Sequence, residues 1–344
     1  MKETFSIKRT ELLGVLNSIR PGLARKGIVE QSTHFMFLGK DVATFSDQIA
    51  IIHPFETAFP FSVKGDEFYK LISGITEEDL TFSLTEGKIS IKSKSTKAGM
   101  STIVDDKDRV DKLVVNLKKE MKDWQDIPKD MISGLYLAMF SAAKDLSQGT
   151  LSCIYVTGKD ILSSDSLRAS WYEMESEVDD FLIPAKDVAE LVKFTDIVSF
   201  CQSSNWIHFK TQGGATFSAR KIPGVFKDLR KRFEIEGDTI ELPPTLKEVT
   251  DSIIFLSEGD IEVNKIISVG IEKDSITLKA EKETGWVEKI VDFKYKGKPL
   301  QFLINPIFLS QILSKATEIT LNNSIALFAT ESFYHIICLP REEE

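Results

Sequence analysis

Apolar positions along the chain follow a pattern that is written three times. The stretches FSVKGDEFYKLI from Phe61, FLIPAKDVAELV from Phe181 and FLINPIFLSQIL from Phe302 begin 120 and 121 residues apart. Each opens on a strand-like lead and then sets apolar residues at i, i+3 and i+4. They are Phe68, Leu71 and Ile72; Val188, Leu191 and Val192; and Leu309, Ile312 and Leu313. That spacing lays an apolar stripe along one face of an α-helix. Behind each helix the period changes to two, in DLTFSLTEGKISIKS, DIVSFCQSSNWIHFK and EITLNNSIALFAT. Alternation about a turn predicts a β-hairpin with one buried face.

The text ahead of each unit recurs as well. FSIKRTELLGVLNSI, IPKDMISGLYLAMFSAA and LPPTLKEVTDSIIFLS each predict a short lead and an amphipathic helix. Hairpins follow, with tips at Gly39-Lys40-Asp41, Gly158-Lys159-Asp160 and Glu272-Lys273-Asp274, residues that suit tight turns. The chain therefore reads as three tandem units, 1–118, 119–238 and 239–344, each β–α–β-rich–α–β-rich. Charged stretches at 105–123 and 225–238 read as linkers or edge elements. Two helices laid on one face of antiparallel sheet give an α+β fold.

Composition narrows the class. Apolar residues make up 42% and charged residues 28%, the balance of a folded soluble protein. No apolar run approaches the ~20 residues a membrane-spanning helix needs, and MKETFSIKRTELL lacks the apolar core of a signal peptide. Three widely separated cysteines (Cys153, Cys201, Cys338) predict reduced thiols and, with the rest, a cytoplasmic protein. The net charge of −9 speaks against a conventional nucleic-acid binder, although a basic inner face fits within an acidic total. Chemistry is sparse. No phosphate-binding Gly-x-x-x-x-Gly-Lys-Ser/Thr run occurs, and His34, His53, His208 and His335 are dispersed without metal-ligand spacing. No enzyme activity, metal or cofactor is predicted.

Three tandem α+β units of this size resemble the β sliding clamp family of bacterial DNA polymerase III. The likeness spans the whole chain and is sharpest at SSDSLRASWYEM (163–174), at FKYKGKPLQFLINPIFLSQIL and at the C-terminal IICLP. The first stands where the family has a Thr-Asp-Gly-His-Arg-Leu segment; Ser166-Leu167 replaces the Gly-His and Ala169 the following Leu. The resemblance implies three clamp domains per chain, and a homodimer whose six domains close head to tail. Sheets would form the outer wall, and helices would line a hole for double-stranded DNA. It implies a DNA polymerase held by topology and an ATP-dependent clamp loader that opens the ring.

By position, the resemblance places a partner-peptide cleft at Leu151, Ser164, Leu167, Arg168, Asn305, Phe308, Ile325, Ile337, Leu339 and Pro340. Ile325 and Ile337 read equally well as strand core. DNA phosphates would meet Arg20, Arg25, Lys26, Lys144 and Lys186, which also read as ordinary solvated helix faces. The dimer seam would join Phe255 and Leu256 of one copy to Met100 of the other. The tail Arg341-Glu342-Glu343-Glu344 is acidic where the family's is basic and apolar, pointing to a divergent or phage-encoded clamp with its own partner peptides. The alternative is a scaffold of the same fold that binds only proteins and does not encircle DNA.

Overall fold

The computed structural model describes residues 4–25, 30–85, 87–103 and 107–340. Lys26 and the 341–344 tail lie outside them. The first repeat comprises β1 (Thr4–Lys8), α1 (Arg9–Ile19), β2 (His34–Phe37), β3 (Asp41–Phe45), β4 (Ile49–Pro54) and β5 (Phe61–Lys64). It continues with α2 (Gly65–Gly74), β6 (Asp79–Thr85), β7 (Lys88–Lys92) and β8 (Lys97–Ser101). A connecting helix, α3 (Lys107–Glu120), precedes the second repeat. That repeat is β9 (Gln125–Asp126), α4 (Met131–Ala138), β10 (Cys153–Ser164), β11 (Arg168–Pro184), α5 (Ala185–Leu191), β12 (Ile197–Gln202), β13 (Trp206–Thr211) and β14 (Thr216–Arg220). The third opens with β15 (Asp238–Glu241), α6 (Leu246–Ile253), β16 (Ile267–Ile271), β17 (Ser275–Lys282) and β18 (Gly285–Asp292). It closes with β19 (Leu300–Ile304), α7 (Pro306–Leu313), β20 (Glu318–Leu321), β21 (Ile325–Ala329) and β22 (Phe333–Cys338).

The chain divides into two compact units, Met1–Ile127 with Lys186–Ile222, and Pro128–Ala185 with Pro223–Glu344. Neither coincides with one repeat, because sheets run from one repeat into the next. In the first unit β4 pairs with β14, giving an eight-stranded sheet ordered β5-β2-β3-β4-β14-β13-β12-β9 beside a four-stranded one, β1-β6-β7-β8. In the second unit β11 pairs with β22, giving β10-β11-β22-β21-β20-β15 beside β18-β17-β16-β19. All of these pairings are antiparallel, as an α+β fold built from hairpins requires.

Alternation along the strands decides which residues meet the helices. Phe35 and Phe37 of β2 point to α2, where both rings lie edge-on to Phe68 at 6.3 and 5.9 Å, and Phe37 stacks on Phe61 at 4.3 Å. Met36, between them, points to the opposite face and joins Ala43, Ala50, Ile52 and Trp206. Val114 and Leu117 of α3 cover that cluster, and Lys118 of α3 bonds Asp41 at 2.6 Å. The charged segment expected to be a linker or edge element is therefore a helix docked on the far face of a sheet. In the second unit α6 and α7 bury Leu246, Ile253, Leu309, Ile312 and Leu313 against β16 and β17.

One turn differs from its sequence expectation. Gly39–Asp41 and Glu272–Asp274 close hairpins, with Leu38 N–H bonding Asp41 O and Glu272 N–H bonding Ser275 O. Gly158 instead lies inside the continuous strand β10, at φ 57. Both halves of β10 pair with the single long strand β11, so the chain runs on through a bulge rather than reversing.

Candidate partner groove

The β10–β11 hairpin turns at Asp165–Leu167, and its tip is closed by side chains. Asp165 Oδ1 accepts the N–H groups of Leu167 (3.1 Å) and Arg168 (3.0 Å). Ser164 Oγ donates to Arg168 O and accepts from Ser166 N–H. Ser166 sits at φ 75, a left-handed conformation that costs a non-glycine residue roughly 1–2 kcal/mol. The backbone here has the shape that glycine adopts most readily, although the residue is a serine.

Arg168 starts β11 and points inward. Its Nε bonds Asp165 Oδ2 at 2.9 Å, its Nη1 bonds Gln311, and its guanidinium lies 4.1 Å over the Phe308 ring and 5.3 Å from that of Phe140. Burial holds its pKa below the ordinary arginine value, against the opposing pull of Asp165. Beneath it, Ser141, Ser170 and His335 share hydrogen bonds, with His335 Nδ1 2.9 Å from Ser170 Oγ. Burial, and then the nearby charges of Arg168 and Lys315, keep this imidazole neutral, well below its usual pKa. All three side chains have zero exposure, so the Ser–His pairs are closed to any substrate.

The segment between β14 and β15 forms the other wall. Phe226 stacks on Tyr155 at 5.6 Å, Phe233 packs edge-on to Trp171 at 5.7 Å, and Arg230 bonds Asp160 at 2.8 Å. Phe233 shares a small core with Ala169, Leu327 and Ile336. Between this wall and the hairpin tip runs a groove of about 430 Å³, floored by Ile325, Ile336 and Cys338 and walled by Val225, Phe226 and Leu229. Its volume lies in the range of small-ligand sites.

Of the residues placed here by sequence, Leu151, Ser164, Arg168 and Ile325 line the groove. Leu167 stands at the hairpin tip, 39% exposed. Phe308 is buried under the Arg168 guanidinium. Asn305 caps α7, accepting the N–H groups of Ile307 and Phe308 and donating to Glu262 O. Ile337 is core. Leu339 and Pro340 border a separate cavity of about 730 Å³ with Leu300–Leu303 and Leu321–Ser324. The 225–232 wall was missed by sequence reading. Its signal is the apolar set Phe226, Leu229 and Phe233, three or four residues apart inside a stretch whose charge reads as a linker or edge element.

The remaining candidates are scattered over both units. Arg20 bonds Asp66 at 3.3 Å and covers the Tyr69 ring at 4.5 Å; Lys144 bonds Glu262 at 2.6 Å. Arg25 and Lys186 are exposed. Met100 is half-buried on β8, an edge strand. Leu256 is half-buried beside Phe255, which is 65% exposed. Nearby β18, also an edge strand, exposes Trp286 and Ile290 at 65% each, an apolar patch that sequence reading did not single out. Among the described residues no cluster of His, Cys, Asp and Glu could hold a metal, and no helix is long and apolar enough to cross a membrane.

No family model matches the sequence, and no curated protein matches it. The fold does have counterparts. The β subunit of the DNA polymerase of Streptococcus pyogenes superposes with a TM-score of 0.82 at 17% identity, covering 99% of this chain and 100% of that one. The DNA polymerase III β subunit of Thermotoga maritima gives 0.78 at 18% identity, with the same coverage. That of Pseudomonas aeruginosa, also solved as a sliding clamp bound to griselimycin, gives 0.81–0.82 at 16% identity, again at 99% and 100%. The chain thus has the sliding-clamp fold from end to end. In particular, the match is to DNA polymerase β subunits, over 99% of this chain.

Proposed function

We propose that this protein is a DNA sliding clamp. Two copies close a ring of six repeats around duplex DNA and tether a polymerase that docks a peptide in the 225–232 groove. The observation that carries this reading is the full-length fold match at a TM-score of 0.82. Two edge strands support closure: β8 on the first unit and β18 on the second each have one free side within their sheets. Exposed sheet edges invite pairing with another chain, and Phe255, Trp286 and Ile290 supply apolar surface beside one of them. A head-to-tail pair of copies would satisfy both edges twice. Opening such a seam to admit DNA is the work of an ATP-driven loader.

Cations at Arg20, Arg25, Lys144 and Lys186 would attract phosphate without reading bases, which permits sliding. The ion pairs of Arg20 and Lys144 favour the second reading, a protein-only scaffold. Exposed pairs of this kind are worth only about 0–1 kcal/mol, however, so phosphate can displace the carboxylate. Light scattering on the full chain tests the proposal: the mass of two 38.7 kDa chains is expected. Trp286→Glu combined with Ile290→Glu is expected to give monomers with an unchanged circular dichroism spectrum. A monomeric wild-type protein at micromolar concentration contradicts the dimeric clamp.

A further inference from the structure

The groove carries a charge that its apolar floor does not need. Arg168 is neutralised by Asp165 within hydrogen-bond distance, and Arg230 by Asp160 and Asp228. Lys227 and Arg232, which also line the groove, are exposed, and no carboxylate pairs with either among the described residues. At the floor, burial and then the nearby charge of Asp165 push the Cys338 thiol up, and Arg232 opposes them from the rim. Among the described residues, two cations without a directly paired carboxylate thus stand on the rim of the apolar groove, in a protein of net charge −9.

Resting on the clamp reading above, we propose that the groove selects peptides in which acidic residues flank the apolar anchors. The apolar side chains would pack on Leu229, Ile325 and Ile336, while Asp or Glu beside them meets Lys227 and Arg232. Rim charges of this kind steer encounter and exclude basic partners more than they add raw affinity. The occupant proposed is a segment of a partner protein; the chain's own acidic 342–344 stretch, a few residues after Cys338 in sequence, is the competitor that the test separates from it.

The test is a random twelve-residue peptide library selected on the full chain at low salt. Synthetic peptides from the enriched pool are then measured by fluorescence anisotropy. Enriched peptides are expected to pair apolar anchors with Asp or Glu. Changing those acids to Asn or Gln is expected to weaken binding about three- to tenfold, an effect that salt erases. The variant Lys227→Glu with Arg232→Glu should reverse the preference, so that a Lys-substituted peptide regains affinity. A merely structural effect of the variant would not produce that recovery. Acidic and amide peptides binding alike, or a variant that weakens both equally, overturns the inference while leaving the groove a docking site. Peptide binding that survives Ile325→Asp overturns the groove itself, and with it the docking part of the clamp reading. A large gain in peptide affinity on deleting residues 341–344 assigns the two cations to the chain's own tail and also overturns the proposal.

Discussion

Two buried histidines hold matching places in different sheets: His208 on β13 opposite Ser218 on β14, and His335 on β22 opposite Ser170 on β11. Each imidazole Nδ1 is within hydrogen-bond distance of the serine hydroxyl, 2.8 Å for His208. Burial pushes the His208 pKa down to about 4, below its ordinary value of 6.5. A base whose folded pKa is depressed leaves stability intact above pH ~6.5 and removes it as pH falls toward 4, a loss of roughly 3 kcal/mol. Asp187 of α5 works in the opposite direction, since burial raises its carboxyl from 3.8 to about 7, so its penalty grows as pH rises through that span. Variants separate the two effects. Denaturant titrations of His208→Asn should show a flatter loss of stability between pH 6.5 and 4 than wild type. Asp187→Asn should become progressively more stable than wild type from pH 4 to 7. Parallel curves would remove both assignments. Sequence placed the histidines in strands, yet it could not show that they are buried, because a polar residue in an alternating run reads as solvent-facing until its sheet is covered on both sides.

Helices and hairpins were legible wherever period alone decides them: Phe68 and Ile72, Val188 and Leu191, and Leu309, Ile312 and Leu313 are all buried. The connecting segments were not. Their charged residues mask a few apolar anchors, Val114 and Leu117 in α3 and Phe226, Leu229 and Phe233 ahead of β15, which dock them on sheet faces turned away from the helices. Gly158 was misread for a related reason, since its tripeptide suits a hairpin tip but both flanks are claimed by β11. The second connector makes a firm prediction. Phe233→Ala should destabilise the protein by about 3 kcal/mol, as truncation of a buried ring does. Hydrogen exchange should show faster opening of the amides at 226–233, while those of β16 and β17 are unchanged. Unaltered protection at 226–233 would mean that the wall of the groove stands without its anchor.

On the scale of the whole chain, the threefold repeat was visible because each copy must bury its own helices, which forces the same apolar offsets near Phe61, Phe181 and Phe302. What sequence could not reveal was how strands are shared: β4 with β14 and β11 with β22 join repeats through backbone hydrogen bonds that no side-chain pattern encodes. The residues that would touch DNA were hardest to single out, because a sliding contact needs only scattered positive charge; read as helix-face cations, Arg20 and Lys144 lie in a 3-10 turn and a bend, and only Lys186 is on an α-helix. The central claim, that two copies encircle duplex DNA, has a direct topological test. Protein re-associated from monomers in the presence of nicked circular duplex is sealed across its seams with a bifunctional crosslinker and run on a denaturing gel, where the sealed dimer is checked by mass. The account predicts that sealed dimer travels with the intact circle and is released when the circle is cut once. Loss of sealed dimer from the uncut circle would contradict it.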